Sequence, residues 1–201
     1  MYPSQQADVT VSWTDGTGTK NTNQQTLEAN RVSVIDLGSV PKSATGLTIS
    51  ATEPVTAAAK VTNDGDGDQA DFALVNASVP MNVSAIAVPD HATAQVSVTN
   101  TSDDDRTATL TSYNGDGDIV EQSDLTIRAG ASTTIELADI NDGDVAAVSL
   151  ADPDQSMVWN IRVSQKDVSD AKLAGVSIIG ATDLKEAREQ VWSNQNMTIV
   201  R

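Results

Sequence analysis

The residues with the clearest chemical potential are carboxylates at alternate positions. Asn63-Asp64-Gly65-Asp66-Gly67-Asp68 is followed three residues later by Asp71. Calcium prefers oxygen ligands at positions 1, 3 and 5 of a tight loop, then Gly at 6 and Glu at 12. Counted from Asp64, position 6 is Gln69 and position 12 is Val75. Asp64, Asp66, Asp68 and Asp71 therefore make a partial calcium pattern. The competing reading is a hydrated hairpin turn, which Asn-Gly and Asp-Gly pairs favour. Asn114-Gly115-Asp116-Gly117-Asp118 and Asn141-Asp142-Gly143-Asp144 are weaker versions of the same run.

Trp13, Trp159 and Trp192 are candidate platforms for a sugar or a protein partner. Trp13 stands in a slot that is Ser112 in the other copy of the repeat described below, and Trp159 in one that is Ala57; repeat-specific core packing is the favoured reading, one exposed contact the other. The one histidine, His91, follows Pro89-Asp90 and reads as an exposed loop residue. No nucleophile elbow accompanies it. No Gly-rich phosphate loop is present. Paired carboxylates hydrolyse glycosides only in a cleft, and aromatics are 3% of the chain, little material to line one. The expectation is a protein with no catalytic residues and no resident cofactor, calcium being the only candidate.

Composition bears on partners. The chain has 201 residues and a formal net charge of −16, from Asp+Glu 28 against Lys+Arg 12. Most of the acids are Asp, a residue of turns and caps rather than of helix faces. A field of this sign repels phosphate backbones and anionic headgroups, so nucleic acid is not expected as a partner. Cys is absent, which removes disulfides and thiolate metal sites. No run approaches the roughly 18 apolar residues that span a bilayer, so this segment is not expected to insert in a membrane. The opening Met1-Tyr2-Pro3-Ser4-Gln5-Gln6 reads as a linker end behind an added start Met. The expectation is a trimmed ectodomain of an exported or membrane-anchored protein.

The elements carrying these residues are strands. Period-2 alternation at Leu47/Ile49, Val96/Val98 and Leu125/Ile127, with turn signals every 8 to 12 residues, predicts an all-β sandwich class. Strands are expected near 8–13, 23–28, 31–37, 45–51, 55–62, 70–78, 82–88, 93–100, 106–114, 118–128, 132–138, 145–151, 156–165, 172–179 and 194–200. Residues 9–61 and 108–163 carry one pattern twice. Leu27 to Leu37 matches Ile127 to Leu137 without a gap. Leu47 and Ile49 match Val148 and Leu150, and Ala59-Lys60-Val61 matches Ile161-Arg162-Val163. Two tandem sandwich units follow, 1–88 and 89–201, divided near Pro89-Asp90. The second copy has an extra leading strand, Ala94 to Asn100. A short helix is expected from the capping box Asp183 to Glu186. The return strand around Met197-Thr198-Ile199-Val200 is expected to close the open sheet of the first unit.

Two stretches also resemble a family. One is Ala94 to Thr101 followed by Thr107 to Tyr113 with Gly115-Asp116-Gly117. The other is Ile127-Arg128-Ala129-Gly130-Ala131-Ser132-Thr133-Thr134-Ile135-Glu136-Leu137. They resemble units of the actinobacterial domain-of-unknown-function family 5719, over about 9–165. The resemblance implies tandem Ig-like β-sandwich units and an extracellular or cell-surface place in the bacterial envelope. It carries over no catalytic residue. It implies a non-enzymatic scaffold or partner-binding module, with a membrane glycosyltransferase as the protein partner. The alternative is a carbohydrate-binding or adhesion module that binds polysaccharide and is stiffened by calcium.

Overall fold

The computed structural model describes residues 1–64, 70–89, 93–140, 144–165 and 175–184. They form an all-β protein. In the first half run β1 (Tyr2–Pro3), β2 (Ala7–Asp15), β3 (Gly18–Leu27), β4 (Gly46–Ala51), β5 (Val55–Thr56), β6 (Ala58–Asp64) and β7 (Ala70–Asn76). After them come β8 (Val83–Ala87), β9 (Thr93–Asn100), β10 (Arg106–Tyr113), β11 (Ile119–Ile127), β12 (Ser132–Glu136), a 3-10 turn at Leu137–Asp139, β13 (Ala147–Ala151), β14 (Met157–Gln165), β15 (Gly175–Gly180) and β16 (Thr182–Asp183).

The later strands make a sandwich. One sheet runs β11-β10-β13-β8-β16 and the other β12-β9-β14-β15, with antiparallel pairing throughout. Alternation on these strands sends Val96, Val98, Leu110, Val148, Leu150, Met157, Trp159 and Ile161 into one core. Strand side chains alternate between faces, so a half-buried sheet needs this period. Buried polar groups tie its ends. The Asn100 side-chain amide donates to the carbonyls of Asp104 at 2.8 Å and Ile127 at 3.0 Å. Its oxygen accepts from Ser102 N–H at 3.0 Å. The Asp152 carboxylate accepts from the N–H groups of Ser156 and Met157, each at 2.6 Å.

The earlier strands are sparser. Sheet β3-β2-β4 covers a small core of Ala7, Val9, Val11 and Leu27. Its order parallels β11-β10-β13, and the facing pairs parallel too. Val11 faces Ile49 as Leu110 faces Leu150, and Trp13 faces Leu47 as Ser112 faces Val148. Two small two-stranded sheets, β1-β5 and β6-β7, complete this half.

Three expectations are corrected. The sheets do not divide at Pro89. β8 lies within the expected first unit, yet it pairs with β13 from Val83 to Ala87 and buries Ser84 and Ile86 in the second core. β8 therefore belongs with the later strands. Residues 31–37, expected as a strand, join no ladder. Their matching stretch becomes β12 by pairing with β9 from Gln95 to Thr99. In the first half β1 offers only a short partner, through backbone bonds of Met1 and Pro3 to Ser33 and Asn30. Finally, β3 begins at Gly18 rather than near 23, where a strand was expected, and its residues Thr19 to Thr26 are exposed on both faces. The expected helix after Asp183 and the return strand at 194–200 lie outside the described residues; Asp183 itself is in β16.

Candidate functional site

The candidate residues separate sharply by place. Trp159 is 2% exposed, and its indole N–H donates to Ser84 Oγ at 2.7 Å. Trp159 is on β14 and Ser84 on β8, so this bond crosses between the two sheets. A buried indole needs a partner for its one donor, and here a strand hydroxyl supplies it. Trp159 is therefore not a contact platform. Trp13 is half-buried on β2 opposite Leu47. Trp192 and His91 lie outside the described residues.

Of the calcium candidates, Asp66 and Asp68 lie outside the described residues, and Asp64 ends β6. Asp71 has another task. One carboxylate oxygen accepts from Val176 N–H at 2.8 Å and the other from Phe72 N–H at 2.8 Å. These two donors, Val176 first, hold its pKa below the ordinary carboxylate value. Asp71 thus fastens β7 to the edge of β15. Among the described residues no group of three His, Cys, Asp or Glu side chains gathers as a metal would need.

Other carboxylates are also committed to backbone or hydroxyl partners. Asp15 accepts from Thr17 N–H and Thr17 Oγ1, each at 2.8 Å, and Lys20 Nζ lies 3.5 Å away. Mainly through the Thr17 N–H, its pKa is lowered to about 2. Asp105 accepts from Ala129 N–H at 3.0 Å, and Asp124 from Thr109 Oγ1 at 2.9 Å. Asp15 thus fastens a turn, Asp105 joins two loops and Asp124 ties β11 to β10.

Two surfaces remain. The first is the junction between the halves. Thr14 Oγ1 donates to Ser132 Oγ at 2.9 Å, and Thr45 Oγ1 lies 2.7 Å from the same oxygen. Beside them an open groove of about 550 Å³ is lined by Gly16, Asp124, Leu125, Thr126, Arg128 and Thr133, among others. The second is the outer face of the β6-β7 hairpin. Phe72 is 52% and Leu74 65% exposed. Lys60 Nζ stands 4.5 Å from the centre of the Phe72 ring, a cation–π contact. Register places Lys60 opposite Leu74 and Thr62 opposite Phe72. Phe72 and Leu74 thus stand two residues apart on one exposed strand face. The signal was present in the sequence as alternation at Phe72 and Leu74. Sequence alone cannot tell the outer face of a two-stranded hairpin from an inner one.

A family model matches residues 1–138, which span the first half, the hairpin and the sandwich strands as far as β12. The chain belongs to the family of unknown function DUF5719. The DUF5719 match takes in both sides of the junction, Thr14 and Thr45 on one and Ser132 on the other. It also contains Lys60, Phe72 and Leu74. No curated protein and no solved structure matches the chain.

Proposed function

We propose that this DUF5719 chain is a non-enzymatic, extracytoplasmic protein of the bacterial cell envelope that binds a protein partner through its β6-β7 hairpin. The observation that carries the reading is the outward pair Phe72 and Leu74, 52% and 65% exposed, with Lys60 over the ring. Aromatic and aliphatic anchors beside a cation make a small interaction core with a polar rim. The engaged Asp15, Asp71, Asp124 and Asp152 carboxylates support a structural rather than a reactive use of the acids. The family resemblance supplies the partner class, a membrane glycosyltransferase, and the Ig-like, actinobacterial and envelope setting. The buried Trp159 weighs against the carbohydrate-platform alternative.

The test is cross-linking of the full chain in its native envelope, comparing the parent with a Phe72→Ser/Leu74→Ser variant. The reading expects one partner, a membrane glycosyltransferase, to be captured by the parent and lost at least tenfold from the variant. Equal capture by both proteins overturns it.

A further inference from the structure

One place in the first half has a flank on each side and is filled only in part. In the sandwich, β9 lies between β12 and β14. Thr99 faces both Ser132 and Val158, and Val96 faces both Ile135 and Ile161. In the first half, β1 holds one end of the matching place. Tyr2 faces Thr56, while Met1 and Ser33 exchange backbone N–H and carbonyl bonds at 2.7 and 2.9 Å. Beyond Met1 the matching flanks are residues 34–36 and 58–62, where β9 runs between Thr134–Glu136 and Asn160–Ser164. Among the described residues no backbone pairs with 34–36, and β6 pairs with β7 alone.

The flanks carry the same chemistry in both halves. On the inward row Val96 faces Ile135 and Ile161, and the matching flanks are Ile35 and Ala59, both half-buried. Ala94 faces Val163, which Val61 matches. On the outward row Gln95 faces Glu136 on one side and Arg162 on the other, and its side-chain amide donates to the Glu136 carboxylate. The matching flanks are Asp36 and Lys60, again an acid and a base, and both are exposed. The core below records what the first half lacks. Leu47 and Ile49 stay partly exposed, whereas their counterparts Val148 and Leu150 are at 0% and 1%.

We infer that the free edge of β6 takes up an extended strand of a separate protein, lying beside residues 34–36 in line with β1. This rests on the reading that the hairpin meets a protein partner, and it states how that partner is held. Strand addition at an unpaired edge supplies backbone bonds, while alternate side chains set the register. β9 shows which side chains the place takes: small apolar residues inward, with an amide between them on the outward row. An amide suits Asp36 and Lys60 together, because its N–H group donates to a carboxylate and its oxygen accepts from an ammonium. The next outward residue falls between Val34, 90% exposed, and Ala58, so it is apolar where β9 has Ser97. Lys60 also stands over the Phe72 ring, so the added strand and the Phe72 face form one contact. A second copy does not fit. Among the described edge strands β3, β4, β11, β12 and β15, none carries an amide between two apolar residues. The net charge of −16 also opposes self-association.

The probe is a peptide capped at both ends, two threonines followed by the sequence of residues 93–97, titrated at millimolar concentration into the full chain. Amide hydrogen exchange reads where it binds. At saturation the amides of 34–36, and those of 58–62 that point away from β7, are expected to exchange at least tenfold more slowly, with Leu110 unchanged as the folding control. A Val96→Asp peptide should bind at least tenfold more weakly, because it turns a carboxylate towards Ile35. An Asp36→Ala/Lys60→Ala chain should bind the parent peptide about threefold more weakly, as expected for exposed charges. No binding of the parent peptide overturns the inference, as does equal binding of the V96D peptide or protection along β3 or β11 instead. If the peptide fails while capture in the envelope still depends on Phe72 and Leu74, strand addition falls and the partner reading stands.

Discussion

Thr14 Oγ1 donates to Ser132 Oγ at 2.9 Å although the two residues are 118 positions apart, and both are fully buried. Small hydroxyl side chains let the backbones of β2 and β12 approach, and Gly46 occupies the closest point. A methyl group added at Gly46 meets Thr14 Oγ1 at 2.5 Å, Thr99 Oγ1 at 2.6 Å and Ser132 Cβ at 3.1 Å.

Gly46→Ala is therefore expected to destabilise the protein by about 1–3 kcal/mol, since short side chains beside the backbone cannot swing away. Gly115→Ala is the control, because a methyl there meets nothing within 4 Å. Urea unfolding of both variants checks the difference.

Trp159→Phe removes the donor to Ser84 and leaves a cavity in the sandwich core. A loss of about 2–4 kcal/mol is expected. Ser84→Ala leaves the buried indole N–H unpaired and costs about 1–2 kcal/mol. A double-mutant cycle of the two should give a coupling near 1 kcal/mol; full additivity would show that the hydrogen bond contributes nothing.

Asn100→Ala strips the acceptors at Ile127 and Asp104 of their donor and takes away the acceptor of Ser102 N–H. One buried and two part-buried backbone groups lose partners together, so a loss of about 2–4 kcal/mol is expected in thermal unfolding.

Acid should weaken the Asp15 turn and the Asp71 fastening. Both carboxyls have lowered pKa values in the fold, Asp15 from 3.8 to about 2. A depressed folded-state pKa means the contribution is complete above the unfolded value and is lost as pH falls towards the folded one. Stability should drop from about pH 4 towards pH 2, and Asp15→Asn should flatten part of that slope. Asp71→Ala should speed exchange of the Val176 amide at neutral pH while leaving Leu110 unchanged. An unaltered Val176 rate would show that this amide is protected by something other than Asp71.

The sequence showed most strands because most have one buried face. Val96 and Val98 alternate with Gln95 and Ser97 for that reason, and β9 occupies the expected residues. Residues 31–37 alternate as well, with Ile35 and Leu37 towards the core and Val32 and Val34 outward at 77% and 90% exposure. Alternation reports which side is covered, not whether a neighbouring backbone pairs, so the segment read as a strand. The failure at β3 is the converse, since an edge strand bare on both faces carries no period. The Ser84, Asn100 and Asp152 fastenings were not legible. Their types are common in turns and strands, and only the burial of their partners makes them matter. For the acids the composition pointed correctly to turns, but not to Asp71 reaching a strand 105 residues later.

That last bond has a consequence for biosynthesis. The β6-β7 hairpin is complete at Asn76, but its anchor on β15 is Val176. A two-stranded hairpin is marginal by itself in water. At about 5–20 residues per second of synthesis, roughly 5 to 20 seconds pass before the anchor emerges from the ribosome. During that interval Phe72 and Leu74 are presented on an undocked hairpin. The nascent chain thus presents these two apolar side chains before the bond that fastens their hairpin can form.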